Sequence, residues 1–450
     1  MNKRTFLKTS SVLVTGGIIS HLLACEETPR EKRTNWAGNY TYSTDNIDYP
    51  KTVEELQNLV KKYKHLRGLG TKHCFNGIAD SKENQISLRD MNKVVSLDKA
   101  NNTVTIEAGM NYGQLCEYLH KNGYALHNLA SLPHISVAGA CATATHGSGV
   151  ENGNLATAVS AIEFVNAAGE LITLSKAKDG DKFNGAVVGL GSIGIVTKIT
   201  LDLLPTFEVT QLVYRNMPMS ALEKDFQKIV SSGYSVSLFT DWKNKNVNQV
   251  WIKSKANSDI KDAPTEFYGA KLADKNMHPL DDHSPENCTN QMGVAGPWYE
   301  RLPHFKMGFT PSSGKELQSE YFLPIEYAYD AMMAIESLHE QVSPHLFISE
   351  IRTIKADDFW MSPCYKRTCV AFHFTWKPEW DAVQKLLPLI EEKIMPYKAL
   401  PHWGKLFTIK SDYLQSTITR INDFKALMAE YDPEGKFRND YINSHLFGVS

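Results

Sequence analysis

Two glycine-rich stretches, far apart in the chain, constrain the fold most. The first is Gly68-Leu69-Gly70-Thr71-Lys72-His73-Cys74-Phe75-Asn76-Gly77, which follows the strand-like residues 66–69. Its glycines permit a tight turn and a close approach of backbone to a ligand. His73 offers a nucleophilic imidazole at its centre. The second runs over 130–149 and is small, hydroxylated and free of charged side chains other than its histidines; it includes Ser131, Ser136, Gly139, Thr143, Ala144, Thr145 and His146. Successive backbone N–H groups and hydroxyls of this kind make anion-binding concavities. Together the stretches read as a loop pair that holds a pyrophosphate and sets a ring beside His73.

The 450 residues are enough for two domains with well-buried cores. A formal net charge of −2 argues against a nucleic-acid or acidic-polymer partner. Seven cysteines occur, at 25, 74, 116, 141, 288, 364 and 369. Their spacing is no disulfide framework, and the absence of any C-x-x-C argues against structural zinc. Cys364 and Cys369 read either as a pair for an oxidising compartment or as small buried groups.

Lys3 and Arg4 precede an apolar run over 12–23, too short for a mature membrane span. Leu22-Leu23-Ala24-Cys25 reads as a lipoprotein signal box, with Cys25 lipidated and made the new N-terminus. The segment 2–8 resembles a twin-arginine export motif with Lys3 in the first arginine's place, which leaves the export route open. The expectation is an exported protein, lipid-anchored in the bacterial cell envelope, with a charged tether over 26–34.

Thr52-Val53-Glu54-Glu55 reads as a capping box. The helix after it turns Val53, Leu56, Leu59, Val60 and Tyr63 inward. A strand is expected over 102–107, then a helix through Tyr112, Leu115, Tyr118 and Leu119 that Gly123 stops. Residues 158–165 and 171–174 form a hairpin. Gly189-Leu190-Gly191-Ser192-Ile193-Gly194 has the dinucleotide G-x-G-x-x-G form, but that fingerprint needs a helix after it. Residues 195–203 alternate as a strand instead, so the motif is rejected as a nicotinamide-dinucleotide site. Pro205 closes this first domain. Beyond it strands are expected over 234–242 and 250–253, with a helix carrying Ala328, Met332, Ile335 and Leu338. The stretch 259–303, rich in Pro, Asn and His, reads as long loops of the kind that often carry function.

A second constellation follows. On a strand over 348–353, Glu350 and Arg352 share one face, because side chains alternate with period two. On another over 368–376, His373 and Thr375 share a face while Phe372 and Phe374 point into a core. The third part is Pro401-His402-Trp403-Gly404-Lys405. Such a polar floor supplies what a polyol needs, namely acceptors for its hydroxyls and a cation near the reacting carbon. Read from the residues alone, Glu350 and Arg352 are more often a solvated ion pair along one strand face. His373 is then a core histidine, Lys405 a packed stem, and His146 a group that holds its loop.

The loop pair resembles the flavin cradle of the vanillyl-alcohol oxidase superfamily, and within it the alditol (xylitol) oxidases. The resemblance runs from Asn35-Trp36-Ala37-Gly38-Asn39 to Asp432-Pro433-Glu434-Gly435-Lys436-Phe437-Arg438-Asn439. It implies an α+β, two-domain flavoprotein: a PCMH-type FAD-binding domain (35–205), a substrate or cap domain with a large antiparallel sheet (206–398), and a segment returning to the first domain (399–450). It assigns cofactor contact to Gly68, Leu69, Gly70, Thr71, Lys72, His73, Cys74, Ser131, Ser136, Gly139, Thr143, Ala144, Thr145, His146, Val196, His402 and Lys405. His73 would carry a single covalent bond to the 8α carbon of FAD; Leu132 stands where doubly tethered relatives have a cysteine. Substrate contact falls to Ser131, Gln318, Glu350, Arg352, His373 and Thr375, and catalysis to Arg352, Lys405 and Glu350. The implied reaction is hydride transfer from the terminal carbinol of an alditol to FAD, with molecular oxygen reduced to hydrogen peroxide. Three alternatives stay open: an aldonolactone oxidase, a dehydrogenase using another acceptor, and an anchored sugar-binding protein without turnover.

Overall fold

The alternation that marks Leu346–Ile354 and Cys369–Trp376 builds the middle of a ten-stranded antiparallel sheet. The computed structural model describes residues 33–256, 258–309 and 315–449. The leader, Cys25 and all but the last two residues of the tether lie outside the described residues. Those two residues join the fold, where Thr34 bridges Thr41.

Six longer strands give that sheet its order: Glu208–Pro218, Asn246–Lys255, Ser235–Thr240, Leu346–Ile354, Cys369–Trp376 and Leu317–Pro324, with Leu400–Pro401 at the edge. Its two faces differ in what they bury. Phe372, Phe374 and Ile351 are almost fully buried in the core. Tyr321, on the same face, donates its hydroxyl to Glu391 at 2.8 Å, on the helix Trp380–Ile394. The other face carries Glu350, His373 and Glu320 in one cross-strand row. The expected strands and their facing therefore stand.

The first half of the chain builds a five-stranded antiparallel sheet in the order Val94–Asp98, Thr103–Glu107, Ile195–Asp202, Val159–Val165, Leu171–Ser175. A small parallel sheet of Ile47–Asp48, Gln85–Ile86 and Arg67–Gly68 lies apart from it in hydrogen bonding. The glycine turn at 189–194 runs into the strand Ile195–Asp202, as the alternation required. Thr52 caps Val53–Lys62 as expected, but Glu55 accepts from the Lys51 N–H rather than from Thr52, so the box is displaced by one residue. Two helices escaped the pattern: Val137–Ala142, inside the second glycine stretch, and Lys176–Val187, which is interrupted at Gly180. Leu338 falls just beyond the helix Ala328–Glu336. Cys364 and Cys369 are free, buried thiols, which settles their reading in favour of small buried groups.

Arg67 ties these parts together. It is 2% exposed. Its guanidinium donates to the carbonyls of Leu190 (2.8 Å), Gly191 (2.8 Å) and Phe437 (2.6 Å), and also to that of Ile78. One side chain thus joins the strand before the first loop, the glycine turn and the returning C-terminal segment. Leu66 N–H donates to the Lys436 carbonyl at 3.0 Å, and Asn439 reaches the Gly77 and Asp80 carbonyls. Replacing Arg67 by Met leaves these buried carbonyls without donors, each at about 1–3 kcal/mol. Arg67→Met is expected to lower unfolding free energy by at least about 3 kcal/mol, measured by denaturant titration.

Candidate active site

Both glycine loops and the polar sheet face line one cavity of about 560 Å³. The first loop leaves the strand Arg67–Gly68 and turns at Lys72, whose φ of 61° is left-handed. Trp36 N–H donates to the Lys72 carbonyl at 2.8 Å. His73 stacks on the Trp36 ring, centroids 4.5 Å apart, and meets His134 edge-on at 4.6 Å. Burial first, then His134 and Lys405, pushes the His73 pKa down to about 3. The imidazole is therefore neutral, with its Nδ1 buried and without a partner.

The second loop packs directly on the first. Ser136 N–H donates to Thr71 Oγ1 at 3.1 Å. A Cβ placed on Gly70 or on Gly139 would sit 2.7 Å from Ser136 Oγ, so a side chain at either position would have to turn that hydroxyl aside. Ser131, Ser136, Gly139, Thr143, Thr145 and His146 line the cavity with Gly68–Cys74. Ala144 and Val196 do not. Ala144, at φ 54°, turns its methyl into the core, and Val196 packs against the apolar cluster around Leu56 and Val60. Closely packed backbone, an unpartnered imidazole nitrogen and a nearby ammonium from Lys405 are a cradle that fits FAD.

The sheet supplies the opposite wall. Arg352 lies between two carboxylates: its Nη2 donates to Glu320 Oε1 at 2.6 Å, and its Nε is 3.6 Å from Glu350 Oε2. All three side chains are buried. Burial opposes the charge on Glu320, but Arg352 and then His146 outweigh it and hold the carboxyl well below its usual range. Glu350 is likewise held low against burial, by Arg352 and by His304. His373 Nδ1 is 3.5 Å from Glu320 Oε2, and its Nε2 pairs with Thr375 Oγ1 at 3.1 Å. Burial lowers the His373 pKa to about 4. His402 is also neutral through burial; its Nδ1 accepts from Gly404 N–H at 3.0 Å. Lys405 contacts Gln318 Oε1 rather than a carboxylate, and burial lowers its pKa. Gln318, Glu350, Arg352, His373, Thr375, His402 and Lys405 all line the cavity.

Several wall residues were not foreseen, among them Glu316, Glu320 and His304. Glu320 had a signal, since period two puts it on the face of Gln318. His146 holds more than its loop. Its Nδ1–H donates to the Gly147 carbonyl at 2.7 Å, while Nε2 lies 3.1 Å from Glu320.

Two predictions follow from this geometry. Gly70→Val drives a branched side chain into Ser136, and the purified protein is expected to lose its visible flavin absorbance per unit protein. Glu320 has a folded-state pKa below the ordinary 4.5. Its ionised form therefore adds stability above about pH 4.5 that is lost as pH falls toward the folded value. Glu320→Gln should cost about 1.5–3 kcal/mol at neutral pH and flatten the fall of unfolding free energy below that pH.

Comparison with known proteins agrees with this geometry. A family model described as an FAD binding domain matches residues 44–175, and one described as D-arabinono-1,4-lactone oxidase matches 310–445. The chain is 43% identical to the alditol oxidase of Streptomyces sp. (strain IKD472 / FERM P-14339), over 92% of this chain and 99% of that protein. It is 23% identical to the L-gulonolactone oxidase of Scyliorhinus torazame, over 92% and 98%. A solved structure of a solvent-stable cholesterol oxidase has the same fold, with a TM-score of 0.73 at 16% identity over 92% of this chain and 97% of that one. With 43% identity to an alditol oxidase along almost the whole of both chains and a matched FAD binding domain, the chain belongs to the alditol oxidase family of FAD-dependent oxidoreductases.

Proposed function

We propose that this enzyme oxidises the terminal carbinol of an alditol to the aldose. FAD, when bound, supplies the hydride acceptor, and molecular oxygen is the final oxidant, leaving as hydrogen peroxide. The observation that carries the reading is the set of polar side chains facing the His73 loop across one cavity. A polyol presents hydroxyls that both donate and accept. Glu350, held ionised, accepts; Thr375 and Ser131 do both; Gln318 pairs with Thr375 on the next strand and orients Lys405.

Loss of hydride from a carbinol carbon polarises its oxygen toward alkoxide. Arg352, its charge fixed between Glu320 and Glu350, stabilises that oxygen as a preorganised cation. Among the described residues no carboxylate pairs with Lys405, and its side chain lines the cavity. The neutral state of His73 and the free Nδ1 support a single covalent attachment of FAD at this residue. A Leu-Leu-Ala-Cys sequence ending at Cys25 supports export and lipid attachment there, for which a diacylglyceryl mass on Cys25 in the membrane fraction is the test.

An aldonolactone oxidase is the second reading, favoured by the match of 310–445 to the D-arabinono-1,4-lactone oxidase model. Anaerobic bleaching of the flavin across a panel of alditols and lactones separates the two, and the rate of reoxidation on adding oxygen tests the acceptor. On the proposed reading, acid-precipitated wild-type protein keeps its yellow colour, whereas His73→Ala releases it to the supernatant. Arg352→Ala is expected to slow flavin reduction by xylitol about 10²–10³-fold; near-normal reduction would remove Arg352 from the mechanism.

A further inference from the structure

His304 stands outside every role assigned above, yet it makes the shortest contact to Glu350 among the described residues: its Nε2 lies 2.8 Å from Glu350 Oε1. It comes from an irregular stretch between the short strand Gly296–Pro297 and the strand Leu317–Pro324, not from the sheet. That stretch is held tightly where His304 leaves it. Lys253, 1% exposed on the strand Asn246–Lys255, donates to the Leu302 carbonyl at 2.6 Å and the Pro303 carbonyl at 2.9 Å. Thr289 donates its hydroxyl to the Pro303 carbonyl and its N–H to the His304 carbonyl, each at 2.9 Å. Three consecutive carbonyls are thus occupied. The ring itself lies edge-on to Phe239 and Trp251, at 5.4 and 5.3 Å.

Lys253 Nζ also lies 3.4 Å from His304 Nδ1. Glu350 is held ionised and can only accept, so in the neutral ring Nε2 carries the proton and Nδ1 is left as the acceptor; burial pushes the Lys253 pKa down to about 7, and it is the ammonium form that donates to Nδ1. Burial lowers the His304 pKa, which favours that neutral ring. Nε2–H then donates to Glu350 Oε1. The other carboxylate oxygen faces Arg352 Nε at 3.6 Å, beyond hydrogen-bonding distance. The order Lys253, His304, Glu350 therefore fixes one oxygen of the carboxylate and leaves the other for a ligand.

We propose that His304 is a positioning residue for polyol oxidation, orienting Glu350 toward the substrate, and that buried Lys253 holds its loop. This rests on Glu350 contacting the substrate. The pattern is the familiar one in which an outer hydrogen-bond partner tunes an inner, ligand-facing group.

His304→Phe keeps a ring between Phe239 and Trp251 and removes both nitrogens; His304→Gln keeps a donor. Both are tested as flavin-loaded protein. For His304→Phe, kcat/KM for xylitol is expected to fall about 10–100-fold, mainly through KM, with flavin content and Tm near wild type. The acid limb of its pH profile moves upward, because Glu350 keeps Arg352 and His373 beside it but loses its donor. His304→Gln restores part of both. Nitrogen NMR of histidine-labelled wild type shows the His304 proton on Nε2. Unchanged kcat/KM with an unmoved acid limb in His304→Phe would overturn the proposal, as would a wild-type proton on Nδ1. If wild-type flavin is bleached by lactones and not by alditols, the substrate reading fails separately. The His304→Phe comparison is then made on the lactone that bleaches it, with the same two outcomes.

Discussion

The site depends on one buried cation held between two buried carboxylates. Arg352, Glu320 and Glu350 are each at most 8% exposed at the side chain. Taking such charges out of water costs several kcal/mol per ion unless geometry and further hydrogen bonds offset it. Here the sheet provides the geometry. Glu350, His373 and Glu320 occupy one cross-strand row on three neighbouring strands, and Arg352 is two residues along from Glu350 on the same face. Partners then complete the group: His304 on Glu350, with His146 and His373 beside Glu320. The ion cluster follows from strand register, and a slip of one residue would send all of it to the apolar face.

The histidines around this cluster serve by being neutral. His73, His373, His402 and His304 are all shifted down by burial. Each then has one nitrogen that donates and one that accepts, and its neighbours decide which. Gly404 N–H makes His402 Nδ1 the acceptor; Glu350 makes His304 Nε2 the donor. Charge on the floor around these histidines is left to the carboxylates, Arg352 and Lys405. Since Lys405 is paired with an amide oxygen rather than an anion, the positive charge not cancelled locally lies on the wall that meets a ligand.

Much of this was legible, for a physical reason. A strand repeats every two residues, so Glu350 with Arg352, and His373 with Thr375, could be placed on faces from spacing alone. The same rule reached Glu320 through Gln318, but nothing local says that its strand lies next to that of His373. That adjacency is set by pairing between distant segments. His304 was beyond such reasoning, because an irregular stretch has no period and its side-chain direction is fixed by distant contacts, with Lys253, Phe239, Trp251 and Glu350. The glycine loops were legible as ligand-binding backbone, yet the helix Val137–Ala142 inside one was not: its residues are small, and no apolar stripe longer than a turn marks it. The glycine turn at 189–194 shows the reverse, where a motif is overruled by the strand after it.

Why His73 and the ionic floor keep their spacing is also answered by backbone contacts. Phe75 N–H donates to the Gly404 carbonyl at 2.8 Å, and Asn76 donates to the carbonyls of Trp403 and Lys405. At the other loop, Gly149 N–H donates to the Thr353 carbonyl at 2.9 Å, one residue beyond Arg352. The segment bearing His73 is thus bonded to the one bearing Lys405, and the second cradle loop to the strand bearing Arg352. Hydride transfer is acutely sensitive to the separation of donor and acceptor, and small misplacements cost orders of magnitude in rate. Joining cradle to floor through main-chain bonds fixes that separation before any ligand arrives. A covalent anchor at His73 would then act on a frame already rigid, retaining the cofactor in its place rather than shaping the site around it.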